Sequence, residues 1–256
     1  GVQTCALPIY HLILLAQNKT GYHNLVKLVS HGFLEGFYYK PRVDKALLRK
    51  YSEGLTCLSA CIAGEIPRAI LADNMDLAKK LTLEYASIYP GRFYLELQSN
   101  GLKEQEKANT ALMELAETCK LPLVATNDCH YLGADDAEAH EVLLCIQTQT
   151  TMDDPKRMKF GTHELYYKSI EEMEKSFSHV PEALSNTMRI AEECNVALDF
   201  GNHYFPVYQL PEGASMESEF RRLAEDGLEK RLEKHPDRAS INADLYRERL
   251  QYELRV

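Results

Sequence analysis

The sequence predicts an α/β fold in which parallel strands alternate with crossover helices. Short apolar, β-branched runs recur at residues 11–17, 54–60, 93–98 and 123–126. Stretches with apolar residues at helical spacing separate them. Such alternation argues for strands joined by helical crossovers, because a parallel pair cannot be closed by a tight turn. The third observation concerns chemistry. Cys61, Glu96 to Gln98, and Asp128 to His130 all fall at or near strand ends, where parallel architectures gather their reactive groups.

Taken in order, residues 1–9 (GVQTCALPI) show neither strand nor helix periodicity and are read as a non-native leader. Residues 11–17 (HLILLAQ) suit a buried strand, 18–21 a turn, and 22–32 a helix carrying Leu25, Leu28 and Val29. Residues 40–51 hold five basic residues and read as a solvated helix face. Residues 54–60 (GLTCLSA) form the second strand, with helices expected after Pro67 and over 75–89. Pro90 and Gly91 punctuate the chain before the third strand, 93–98. Residues 103–120 place Ala108, Leu112, Leu115, Ala116 and Cys119 on one helical stripe. Pro122 leads into the fourth strand, and a helix follows with Ala139, Val142, Leu143 and Ile146. Further on, 164–168 (ELYYK) suits a short strand and 181–195 a helix with Pro181 in its first turn. Residues 199–213 read as an extended connection, and 216–232 and 244–254 as charged amphipathic helices. A domain boundary is placed near Phe205.

Composition narrows the class. The 256 residues are 45% hydrophobic and 26% charged, ordinary for a globular protein and enough for one large domain or one domain plus part of another. A net charge of -9 argues against a surface dominated by phosphate contacts. Seven cysteines, an odd number with no C-x-x-C pair, suit reduced thiols in a cytoplasmic protein. The apolar run at 12–16 is too short to span a membrane.

The stretch with the most chemistry is residues 123–131, LVATNDCHY. In an extended backbone, residues i and i+2 point to one side, so Asp128 and His130 converge while Cys129 faces away. A carboxylate and an imidazole leaving a buried strand make half of a metal site. The competing reading is a turn, since Asn-Asp is common turn chemistry and His130 could cap the loop. Cys61, ahead of Gly64 and Glu65, is either a second ligand or a small core residue. His11, His31, His140 and His163 each have a plain structural reading. No glycine-rich phosphate loop, H-E-x-x-H or spaced carboxylate pair is present.

Together LPLVATNDCHYL, HLILLAQNKTGYHNLVKL, EAHEVLLCIQT, DDPKRMKF and ELYYKSIEEM resemble bacterial replicative DNA polymerase III alpha subunits. The resemblance is to the N-terminal PHP (polymerase and histidinol phosphatase) domain over residues 10–204, and 205–256 look like the start of the polymerase palm. It implies a distorted (β/α)7 TIM-like barrel, truncated at its N-terminus. It also implies a divalent metal ligated by His11, Cys61, Asp128 and His130. Cys and His favour zinc, with manganese or iron as the alternatives. The family's opening H-x-H strand would precede Tyr10 and the palm aspartates would follow Val256, so the chain is expected to be a fragment that extends no primer. No catalytic residue of the polymerase, which would use magnesium, can be named. Implied activities are DNA-directed DNA synthesis in the parent and 3′-5′ proofreading hydrolysis at the PHP site. DNA, the proofreading exonuclease subunit, the sliding clamp and other replisome subunits are the implied partners. A stand-alone PHP phosphoesterase and a non-catalytic docking module are the competing functions.

Overall fold

The computed structural model describes residues 9–203, 205–236 and 240–256. The chain divides into two compact units, one ending at Leu198 and one beginning at Asp199. The leader assigned to residues 1–9 lies outside the described residues except for Ile9.

The first unit is built on a four-stranded sheet in the order β1 (Ile13–Ala16), β2 (Leu55–Leu58), β3 (Phe93–Gln98) and β4 (Leu123–Thr126). Its helices are α1 (Lys19–Leu34), α2 (Lys45–Lys50), α3 (Glu65–Leu71), α4 (Met75–Ile88), α5 (Lys103–Cys119), α6 (Ala137–Thr148), α7 (Ile170–Ser176) and α8 (Pro181–Glu193). Strand alternation sorts the core into two layers. Leu55, Cys57, Phe93, Leu95, Leu97, Leu123 and Ala125 join the larger cluster with residues of α3, α4 and α5. The intervening Leu58, Tyr94 and Val124 face the other way, against Ile190 of α8. Both faces of the sheet are therefore covered, which is why its strands read as continuous apolar runs.

Helix starts follow local capping chemistry. Asn18, Asp44 and Asn74 each accept a hydrogen bond from the third residue beyond, opening α1, α2 and α4. The turn expected over 18–21 is thus the cap and first turn of α1. α5 ends with Lys120 in the left-handed region at φ 55°, after which Leu121 and Pro122 deliver the chain to β4.

The structure departs from the sequence reading in four places. β2, β3 and β4 are parallel, but β1 runs antiparallel to β2, with Ile13 opposite Leu58 and Ala16 opposite Leu55. Residues 164–168 form no strand; only Tyr166 pairs, in an isolated bridge with Tyr131. α7 had no counterpart among the expected helices, although Ser169 and Glu172 form a full capping box at its start. Lys45 is not on a solvated face. Its ammonium lies 2.9 Å from Glu65 of α3 and 2.9 Å from Glu84 of α4.

The second unit contains α9 (Met216–Glu233) and α10 (Ala243–Glu253). Ser215 caps α9 through a reciprocal pair with Ser218, and Arg247 of α10 clasps both carboxylate oxygens of Glu229 at 2.8 and 2.9 Å. Among the described residues no helix is long and apolar enough to cross a membrane.

Candidate metal centre

The ends of β2, β3 and β4 carry the chemistry. β2 runs out through Ser59 and Ala60, and Ala60 takes a left-handed conformation at φ 64°, rare for a residue with a Cβ. Cys61 follows at the head of a tight turn closed by Gly64 N–H donating to the Cys61 carbonyl, 2.8 Å. A Cβ at Gly64 would lie 2.2 Å from the Ser59 carbonyl oxygen, so the turn demands glycine. Glu65, the first residue of α3, anchors the turn from behind. Its Oε2 accepts from the Tyr85 hydroxyl at 2.8 Å and meets Lys45 at 2.9 Å.

His11 is stitched to the same turn. Its N–H donates to the Ala63 carbonyl at 3.1 Å, and it forms an isolated parallel bridge with Gly64. The two side chains meet there, with Cys61 Sγ 3.7 Å from His11 Nδ1. Burial pushes the Cys61 thiol pKa up, and the negative charges of Asp128 and Glu96 push it further. A thiol in that field becomes a thiolate when a cation arrives to offset the charge.

Asp128 and His130 form the second pair, by a different route from the one expected. The chain after β4 is not extended, since Asp128 is left-handed at φ 54°. That turn, and not strand alternation, brings Asp128 Oδ1 to 4.0 Å from His130 Nδ1. Nδ1 donates to the Asp128 carbonyl at 2.8 Å, which leaves Nε2 as the nitrogen with a free lone pair. The imidazole is held by an aromatic wall, with ring centroids 4.6 Å from Phe160 and 5.7 Å from His140. Burial, then the neighbouring His130, depresses the His140 pKa. Cys129 makes its contacts with Asn127 and the Tyr166 carbonyl.

Glu96, on the central strand β3, lies within electrostatic reach of both pairs. Only 1% of it is exposed. Its Oε1 accepts from Thr126 Oγ1 at 2.5 Å and Gln98 Nε2 at 3.2 Å, while Oε2 has no hydrogen-bond partner. Burial raises its pKa, although Thr126, Gln98 and the Ala60 amide favour the ionised form. Its position at a strand end was visible in the sequence, but a single acid in an apolar run carries no ligand signature. His140 and Phe160 were not legible as neighbours of His130.

The four ligand candidates thus form two pairs, His11 with Cys61 and Asp128 with His130. Among the described residues no three His, Cys, Asp or Glu side chains close around one ion-sized point. The donor types nevertheless fit a divalent metal, and the orphaned carboxylate oxygen of Glu96 fits one too. A cleft of about 420 Å³ lies at the other end of β4, lined by Leu123, Met113, His179 and Asn186, away from these groups. His31 has a purely structural setting, between Glu35 and Tyr51.

The sheet is buried and mostly parallel, with thiol, imidazole and carboxylate groups at its strand ends, and residues 2–100 match the PHP domain. That match begins within the stretch read as a leader. The chain is similar to DNA polymerase III subunit alpha of Thermus aquaticus, 46% identical over 248 residues that cover 93% of this chain. It is similar to the same subunit of Borreliella burgdorferi, 49% identical over 203 residues covering 79% of this chain. For Treponema pallidum the figures are 42% over 249 residues and 96%. The chain spans about a fifth of the length of these relatives (20%, 18% and 21%).

Proposed function

We propose that this chain is the PHP-bearing portion of a bacterial replicative DNA polymerase III alpha subunit. The observation that carries this reading is similarity to such subunits through 93% of the chain, into the second unit, with both candidate ligand pairs intact. A stand-alone phosphoesterase would have no use for that second unit, which we assign to the start of the palm. The parent activity is template-directed DNA synthesis. Its partners are DNA, the proofreading exonuclease subunit, the sliding clamp and other replisome subunits.

For the PHP unit the finer reading is a distorted (β/α)7 barrel. Its strand ends form a metal-dependent phosphodiesterase site acting on DNA 3′ ends. A bound divalent ion, zinc or alternatively manganese or iron, would lower the pKa of a water and neutralise phosphate charge. His11, Cys61, Asp128 and His130 would hold it. The chain's own residues prepare that site in defined ways. The Asp128 carbonyl fixes the His130 tautomer so that Nε2 is presented. The Cys61–Gly64 turn sets the thiol beside His11. Phe160 and His140 shield one side of His130 from water.

The test is zinc and manganese content by elemental analysis, with release of a 3′-terminal label from single-stranded DNA. The Asp128→Ala/His130→Ala double variant should lose the metal and the label release together. A double variant with unchanged metal content refutes the assignment.

A further inference from the structure

We infer that Glu96 is a further metal ligand, one that bridges the His11–Cys61 pair to the Asp128–His130 pair. The inference rests on the proposed metal reading and extends it to a residue outside the four implied ligands.

Position comes first. β3 lies between β2 and β4, whose ends lead to Cys61 and Asp128. Alternation along β3 puts Phe93, Leu95 and Leu97 in the larger core layer and turns Tyr94, Glu96 and Gln98 to the opposite face. Glu96 is the residue at which that face changes from apolar to polar. The same change occurs on β4 at Thr126, which follows Val124 on this face and hydrogen-bonds Glu96.

Satisfaction comes second. A carboxylate removed from water needs donors or a cation on both oxygens, and the side-chain donors to Glu96 all fall on one, with the Ala60 amide as a further donor near the group. Thr126 and Gln98 both donate to Oε1, which fixes the plane of the group. Oε2 has no partner, and Gln98 Oε1 is also unpaired, as is Asn127 Oδ1 where β4 ends. The leading charge in its electrostatics is the like charge of Asp128. Protonation would let Glu96 donate to one of these acceptors and would leave the other without a donor. Buried oxygen acceptors lacking donors are a mark of a cation site, and carboxylate and amide oxygens suit a hard or borderline divalent ion.

The result is an asymmetric centre. Sulfur and nitrogen come from the His11–Cys61 side, oxygen and nitrogen from the Asp128–His130 side, and Glu96 is within electrostatic reach of Cys61 and of Asp128. Such a bridging carboxylate would couple the two halves, so that binding at one favours binding at the other.

The experiment titrates the chain with zinc alone and with manganese alone, following free metal by equilibrium dialysis and melting temperature by scanning calorimetry. Cobalt serves as a spectroscopic probe, because its charge-transfer band reports a thiolate ligand. Glu96→Gln keeps the acceptor for Thr126 and removes the charge. It should lower metal affinity at least tenfold, abolish most of the metal-induced rise in melting temperature, and leave the metal-free melting temperature unchanged or higher. The cobalt-thiolate band should survive at high cobalt, since Cys61 is intact. Metal affinity within twofold of the parent overturns the inference. Should Glu96→Gln unfold, Glu96→Asp decides, since shortening a ligand weakens binding and an unchanged affinity refutes the role. The Asp128→Ala/His130→Ala variant separates the two claims. If it loses metal while Glu96→Gln does not, the Glu96 inference falls alone. If the parent chain takes up neither ion, the metal reading falls with it.

Discussion

Replacing Lys45 with methionine should destabilise the first unit and loosen the Cys61 turn at the same time. Lys45 joins two carboxylates, Glu65 and Glu84, at 2.9 Å each, and its side chain is 24% exposed. Removing the ammonium leaves two carboxylates roughly 5 Å apart, a repulsion of about 3 kcal/mol at an effective dielectric near 20. Arg49 still meets Glu84 at 2.7 Å and Tyr85 still donates to Glu65, so the net cost at pH 7 is about 2 kcal/mol. Its pH dependence follows from the charges. The Lys45 hydrogen bond, aided by Arg49, holds Glu84 below its ordinary value of 4.5 despite partial burial. A depressed carboxylate stabilises above its unfolded pKa, and that stability is lost as pH falls through the folded value. Burial pulls the Lys45 pKa down, but hydrogen bonds to Glu84 and Glu65 outweigh it and raise it. Its contribution is therefore lost only on the alkaline side, above 10.5. Urea unfolding should show the full difference between parent and Lys45→Met at pH 7 and a shrinking one as pH falls below 4.5. A difference below about 0.5 kcal/mol at pH 7, or one that does not shrink as the carboxylates are titrated in acid, would refute the brace.

Other substitutions probe other links in the chain of argument. Gly64→Ala drives a methyl into the Ser59 carbonyl and should cost about 2–3 kcal/mol, with loss of any cobalt-thiolate band; a stable variant with that band intact would contradict the turn geometry. Leu112→Ala empties a fully buried position on α5 and should cost roughly 2–5 kcal/mol in urea, without altering metal stoichiometry under native conditions. Phe160→Ala removes one wall of the His130 ring and should weaken metal binding about tenfold, visible as a shifted His130 resonance in nitrogen-edited NMR; an unmoved resonance counts against the wall.

The sequence carried some features more plainly than others, for physical reasons. β3 and β4 were legible because punctuation by Pro90, Gly91 and Pro122 frames apolar runs that are buried on both faces. The direction of β1 was not, because side-chain periodicity is identical in parallel and antiparallel strands. α7 was missed although Ser169 and Glu172 hold capping-box spacing, a signal that could have found it. Residues 164–168 have strand-forming side chains, but only Tyr166 finds a partner, so propensity lost to context. At the site, Cys61, Asp128 and His130 stood out as residue types at strand ends. Glu96 shared that position but carried no ligand signature, and Phe160 and His140 did not stand out, because what marks these three is a missing hydrogen bond and ring contacts made through folding.

On the proposed metal reading, the left-handed turn at Asp128 places two unrelated demands on one position. The backbone there admits glycine, asparagine and aspartate readily and other residues at a cost. Ligation admits aspartate and, on side-chain chemistry alone, glutamate. Their intersection is aspartate. A lineage that relinquished the metal would be released from the second demand and not the first. Its drift at this position should run to asparagine or glycine, leaving a backbone scar of the lost site after the chemistry has gone.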